Sequence, residues 1–190
     1  MLGKAKIDFR EVEYTRIMAY SRAQPNDETY ACMLTSWQQG AGVMADDFGL
    51  GARCFAELFD CHFPGLNQHS LNIPERKNDP LRNDEREEVY KLLMAYRANA
   101  SRSEIWMANI VAVACQGSDH LWQDMGLWSR TQLSELLNRN FPELAHKNIN
   151  NMKWKKFLYK QLCSTEGIYT CRAPSCEVCT DYTRCFAAED

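Results

Sequence analysis

The chain has 190 residues, 45% of them hydrophobic and 25% charged, with 22 Lys and Arg against 25 Asp and Glu. That composition suits one globular domain with a sizeable core, or one domain with a small appendage, and argues against a disordered chain. A net charge of −3 argues against nucleic acid as the main partner, which usually demands a strongly basic face.

Taken in chain order, the pattern is helical almost throughout. The first predicted helix covers roughly 5–23; its charges run through the whole N-terminal stretch, so no apolar signal core is expected there. Helices follow near 28–45 and 50–62. The stretch 64–83, "PGLNQHSLNIPERKNDPLRN", is rich in Pro and Asn and reads as a long loop. In 83–99, Asp84 is placed to cap a helix and Glu87 to complete a capping box. Val89, Leu92, Leu93 and Tyr96 then form one apolar stripe. The same box relation joins Ser101 to Glu104 at the start of 101–115, and Ser129 to Gln132 before Leu133, Leu136 and Leu137. The longest apolar run, 105–115, is far short of the roughly 20 residues a bilayer requires, so no membrane partner is expected. A last helix is predicted over 150–163. No segment alternates with period two, and the fold class is therefore all-α.

Two stretches resemble each other. "DFGLGARCFAELFDCHFPGL" (47–66) aligns with "DMGLWSRTQLSELLNRNFPEL" (124–144) once one residue is inserted. Both have Asp-x-Gly-Leu, an amphipathic helix and Phe-Pro-x-Leu, and Glu28 and Glu104 open the preceding helices at similar distances. The expectation is a helical bundle built from two similar helix-turn-helix halves over 1–165, followed by an irregular, cysteine-rich segment over 166–190.

Nine cysteines is an odd number, which suits free thiols in a reducing cytoplasm. Cys32, Cys54, Cys61, Cys115 and Cys163 are scattered and read first as buried small hydrophobes. The other four, Cys171, Cys176, Cys179 and Cys185, cluster at spacings of x4, x2 and x5. One C-x2-C knuckle without a second is a poor match to a structural zinc site. A compact loop of thiolates suits a larger object such as an iron–sulfur cluster, and the first three cysteines match part of a plant-type ferredoxin spacing. On spacing alone, cluster, zinc and a redox thiol set all remain open. Pro174 stiffens the loop, while Arg172 and Arg184 are placed to offset thiolate charge or to sit as solvated cations. Without metal this segment is expected to be poorly ordered.

"HLWQDMGLWSR" (120–130), "FPELAHKNINNMKWKKFLYKQLC" (141–163) and "CRAPSCEVCTDYTRCF" (171–186), in that order, resemble the NifQ family, whose hallmark is a C-terminal Cys-x4-Cys-x2-Cys-x5-Cys motif. The resemblance extends to 48–64. It implies an iron–sulfur and molybdenum carrier that donates molybdenum to the iron–molybdenum cofactor of nitrogenase. The implied partners are the cofactor-assembly scaffold (NifEN), the nitrogenase iron protein (NifH) and molybdate.

On that reading the candidate ligands are Cys171, Cys176, Cys179 and Cys185, with Cys163 as a conceivable fifth thiol against a plainer role in helix-end packing. His120, in a turn between helices, reads first as a structural or capping residue, and second as a candidate for binding molybdenum or attracting oxyanions. His62, His69 and His146 are weaker candidates. Lys153, Lys155, Lys156 and Lys160 read first as the wet side of an amphipathic helix, and second as a face that guides molybdate or docks an acidic partner. No triad order, phosphate loop or HExxH is present, and "GLGARC" (49–54) lacks the rest of a dinucleotide fingerprint, so turnover of a small organic substrate is not expected.

Overall fold

The computed structural model describes residues 8–71 and 83–166. The described residues form nine α-helices and one short 3₁₀ turn, Gln68–Ser70, with no strand among them. The helices are α1 (Phe9–Met18), α2 (Asp27–Gln38), α3 (Ala52–His62), α4 (Asn83–Ala95), α5 (Arg102–Ala114), α6 (Leu121–Asp124), α7 (Arg130–Asn140), α8 (Pro142–Ala145) and α9 (Trp154–Glu166).

The all-α expectation holds for these residues, with several corrections at helix ends. The helix predicted over 28–45 stops at Gln38, because Gly40 and Gly42 follow with φ of 76° and 80° and turn the chain out of the helix. α4 starts at Asn83, which places Asp84 inside the first turn, where its carboxylate complements the helix dipole instead of capping. Ser101 and Ser129 do cap, accepting from the N–H groups of Glu104 (3.3 Å) and Gln132 (3.2 Å). The return half of each box reaches further back than expected. The Glu104 carboxylate takes the Asn99 N–H at 3.0 Å, and Gln132 Oε1 takes the Trp128 N–H at 2.7 Å. The short helices α6 and α8 are absent from the sequence reading.

α5 explains why 105–115 is so apolar: Trp106, Met107, Ala108 and the run from Ile110 to Ala114 are all buried, so this helix is wrapped on nearly every side. Around it, Trp37, Phe48, Phe55, Phe59 and Phe63 stack in successive edge-to-face and tilted pairs, with ring centroids 4.9–6.4 Å apart. α2 is buried from Tyr30 to Trp37. α9 adds Trp154, Phe157 and Leu158 to the same core.

The two aligned stretches share local geometry. Gly49 and Gly126 both hold left-handed backbone, φ 73° and 74°, where a side chain would be strained. Phe63 and Phe141 end α3 and α7 with φ/ψ of −134°/58° and −139°/55°. Phe55, Leu58 and Phe59 are buried from α3, as Leu133, Leu136 and Leu137 are from α7. The carboxylate that corresponds to the buried Glu104 is Asp27, only 2% exposed, whereas Glu28 is exposed. Asp27 therefore replaces Glu28 in the pairing expected from sequence.

Candidate metal centre

Cys171, Cys176, Cys179 and Cys185 lie outside the described residues, as does the whole segment 167–190. What the structure describes is the helix that leads to them. α9 follows a turn pinned by side chains: Asn148 and Met152 exchange two hydrogen bonds of 2.9 and 2.8 Å. Arg130 binds Asn151 Oδ1 at 2.7 Å and the carbonyls of Asn151 and Met152 at 3.1 Å. Trp154 Nε1 donates to Ser134 Oγ of α7 at 3.1 Å.

The firmest polar tie is Lys155. Its ammonium donates to the Gly117 carbonyl at 2.9 Å and forms a close ion pair with Asp124 Oδ2. Asp124 is only 1% exposed and also accepts the Asp119 N–H at 3.2 Å. Burial raises the pKa of the Asp124 carboxyl above its ordinary 3.8, more than the Lys155 contacts lower it. Glycine is required at 117 because a Cβ there would collide with the Asp124 carboxylate. One turn along α9, Tyr159 OH donates to the Cys115 carbonyl at 3.4 Å. Lys155 is thus turned inward, a correction to its reading as part of the wet face. The residues on either side of it, Trp154 and Lys156, are respectively buried and exposed.

Cys163 lies at i+8 from Lys155 and i+4 from Tyr159, on the side of α9 that these residues anchor, and is half-buried. His120 is half-buried at the cap of α6, where its N–H donates to Gln123 Oε1 at 3.2 Å, the geometry of a capping residue. His69 and His146 are exposed, the former in the 3₁₀ turn and the latter at the end of α8. His62 is buried at the end of α3, its Nδ1 2.6 Å from Asp27 Oδ1, while Ser21 Oγ and the Gln24 N–H donate to Asp27 Oδ2. Burial lowers the His62 pKa below its ordinary 6.5, with Asp27 opposing the shift. Its Nε2 is buried with no hydrogen-bond partner among the described residues.

The structure therefore does not gather the histidines. Among the described residues, no group of three or more His, Cys, Asp or Glu is placed to hold a metal ion. Of the scattered cysteines, Cys32 and Cys115 are buried as expected, while Cys54, Cys61 and Cys163 are only half-buried. Burial pushes the Cys32 thiol up to about 12, which keeps it protonated. The thiolate-rich set that suits soft metals and iron–sulfur clusters is the one in 171–185. The Asp124–Lys155 and Asp27–His62 pairs were not foreseen. For Asp124 the one sequence signal is the Asp-x-Gly-Leu it shares with Asp47 in the other half; Asp27 corresponds to Glu104 and carries no such signal.

Together these features define an all-helical protein whose last described helix is fixed by a buried ion pair and leads into a four-cysteine segment. The family model of NifQ matches residues 29–187. Protein NifQ of Azotobacter vinelandii is 46% identical over 83% of this chain and 86% of its own length. Protein NifQ of Rhodobacter capsulatus is 35% identical over 79% and 81%, and the Protein NifQ homolog of Sinorhizobium fredii 32% over 84% and 70%. The chain belongs to the NifQ family. No solved structure matches it. No helix among the described residues is long and apolar enough to cross a membrane.

Proposed function

We propose that this chain is a carrier that holds molybdenum on an iron–sulfur cluster and donates it to biosynthesis of the nitrogenase iron–molybdenum cofactor, without conventional turnover. The observation that carries the reading is the family match over 29–187, a span that takes in all four clustered cysteines. Cys171, Cys176, Cys179 and Cys185 supply the thiolates, and Cys163 and His120 are the next donors to consider. Bound there, the cluster supplies soft sulfide edges for molybdenum as cargo. Lys155 and Tyr159 tie α9, the helix that precedes the segment in sequence, to residues 115–124. The receiving partners are the cofactor-assembly scaffold and the nitrogenase iron protein, molybdate is the source, and the reducing cytoplasm keeps the thiols free.

Anaerobic purification after growth with molybdate tests this. Iron, acid-labile sulfide and molybdenum should co-purify, and a strain lacking the protein should need extra molybdate for diazotrophic growth. Colourless protein with one zinc, or iron and sulfide with no molybdenum, would overturn it, the first pointing to a metal-folded adaptor and the second to electron transfer.

A further inference from the structure

A cavity of about 190 Å³ lies between α1, α2, α7 and the turn that leads into α7. Its floor is buried: Cys32, Leu127 and Leu136 are 3%, 4% and 0% exposed. Its walls include the half-buried Tyr14 and Trp128, whose ring centroids are 5.2 Å apart, and the side chain of Gln132. At its rim stand three exposed charged residues, Glu28, Glu135 and Arg139.

The walls are held by the protein's own bonds. Trp128 Nε1 donates to Ser36 Oγ at 3.0 Å, the Trp128 N–H to Gln132 Oε1 at 2.7 Å, and Gln132 Nε2 to Cys32 Sγ at 3.6 Å. The rim is held less completely. Arg139 donates to the Pro25 carbonyl at 2.5 Å, but neither the Glu28 nor the Glu135 carboxylate has a hydrogen bond or ion pair among the described residues. One negative charge on the lining is therefore in excess. The Glu28 charge reaches the aromatic wall: after burial and Cys32, it raises the Tyr14 pKa above its ordinary 10.0. The Trp128 ring also accepts a cation, with Arg10 Cζ 5.3 Å from its centroid, although Arg10 does not line the cavity.

We propose that this cavity binds a single guanidinium or primary ammonium group carried on a short alkyl stem. The aromatic walls suit the flat or apolar part of such a group, and Glu28 and Glu135 accept from its N–H donors. The size agrees. A cavity of about 150 Å³ holds a benzene ring, whereas drug-sized ligands need roughly 300 Å³ or more. An anion would meet two carboxylates, and a neutral apolar guest would strip water from them with no compensating bond. A divalent cation such as calcium needs about six oxygen ligands, and no group of three or more His, Cys, Asp or Glu is placed to hold a metal among the described residues. A free small amine and an Arg or Lys side chain of a partner protein carry the same chemistry, and the test separates them. The proposal is independent of the carrier reading, because the cavity shares no residue with the candidate ligands.

The full chain, purified without oxygen, is titrated calorimetrically with n-butylguanidinium and with its neutral isostere n-butylurea. The contact is located by the indole NMR signal that a Trp128→Phe variant lacks. n-Butylguanidinium should bind saturably, shift that signal, and bind on the order of ten-fold or more tightly than n-butylurea. The double variant Glu28→Gln, Glu135→Gln should weaken binding by a similar factor, and Asp60→Asn, an exposed acid on α3, should leave it unchanged. Both glutamates are exposed, so the double variant should keep its helical circular dichroism. N-acetyl-arginine amide names the source: binding at least as tight as n-butylguanidinium indicates a partner's side chain, weaker binding a free small cation, and either supports the site. No saturable binding of either guanidinium, equal binding of n-butylurea, or undiminished binding by the double variant overturns the proposal. Iron, sulfide and molybdenum contents of the same samples judge the carrier reading and leave this site to the titrations.

Discussion

The ends of α3 and α7 are nearly the same backbone carrying different chemistry. Each ends in Phe with matching dihedrals, each is followed by Pro, and each gives its last carbonyl to a distant N–H: His62 O to Arg22 at 3.2 Å, Asn140 O to Ala98 at 2.9 Å. At the second end, Asn140 exchanges hydrogen bonds of 2.8 and 3.0 Å with Asn26 and donates to the Leu136 carbonyl at 2.8 Å. At the first, His62 meets Asp27 and leaves Nε2 without a partner among the described residues. The Asp-x-Gly-Leu turns differ in the same spirit. Asp47 is half-buried and caps its own turn through the Gly49 N–H at 2.8 Å, whereas Asp124 is buried and receives Lys155. One scaffold geometry thus tolerates a titratable end in one half and a helix anchor in the other. The anchor belongs to the half that continues into the cysteine segment.

The comparison can be broken most severely at the anchor. Asp124→Ala leaves the Lys155 ammonium without its buried partner and should cost about 3 kcal/mol, seen as an earlier midpoint in denaturant unfolding. The equivalent change in the other half, Asp47→Ala, should cost about 1 kcal/mol, because only one hydrogen bond in a half-exposed turn is lost. Between them, Asn140→Ala should cost about 2 kcal/mol by leaving Asn26 Oδ1 unpaired inside the protein.

The smallest effect is a slope with pH. His62 has a lowered pKa in the folded state, so below 6.5 the unfolded chain binds the proton more readily and stability falls. The loss should run from about 6.5 down to the depressed folded value at no more than about 1.4 kcal/mol per unit. Asp124 works the other way. Its raised pKa gives stability that is full below 3.8 and lost as pH rises through the raised value. His62→Asn, which copies the α7 end, should remove the first slope and leave the second; an unchanged slope would show that His62 does not titrate as its burial requires.

Much of the helical order was legible because it rests on period and on caps: Ser101, Ser129 and the Leu133–Leu136–Leu137 stripe announce their helices locally. The end of α2 was misread because its apolar character runs on past Gln38 as Met44, Ala45 and Phe48, which are buried from a loop instead of a helix. Lys155 was misread for a different reason. Its inward turn depends on Gly117 and Asp124, residues 38 and 31 positions away, and no local pattern encodes such a contact. Glu28 was paired with Glu104 on residue type and distance, and only the packing shows that its neighbour Asp27 is the buried carboxylate at the start of α2. The four clustered cysteines stand out as a set by their spacing, a soft-donor run in the sequence, and lie outside the described residues.

The central claim is that those cysteines, and not the helical core, hold the metal. The most direct measurement is Cys176→Ala, purified without oxygen alongside the unchanged chain and alongside Cys54→Ala, each assayed for iron, acid-labile sulfide and molybdenum, with far-ultraviolet circular dichroism on the same samples. The account expects Cys176→Ala to lose the metals with the helical signal nearly intact, and Cys54→Ala to keep both. Full metal content in Cys176→Ala would contradict it.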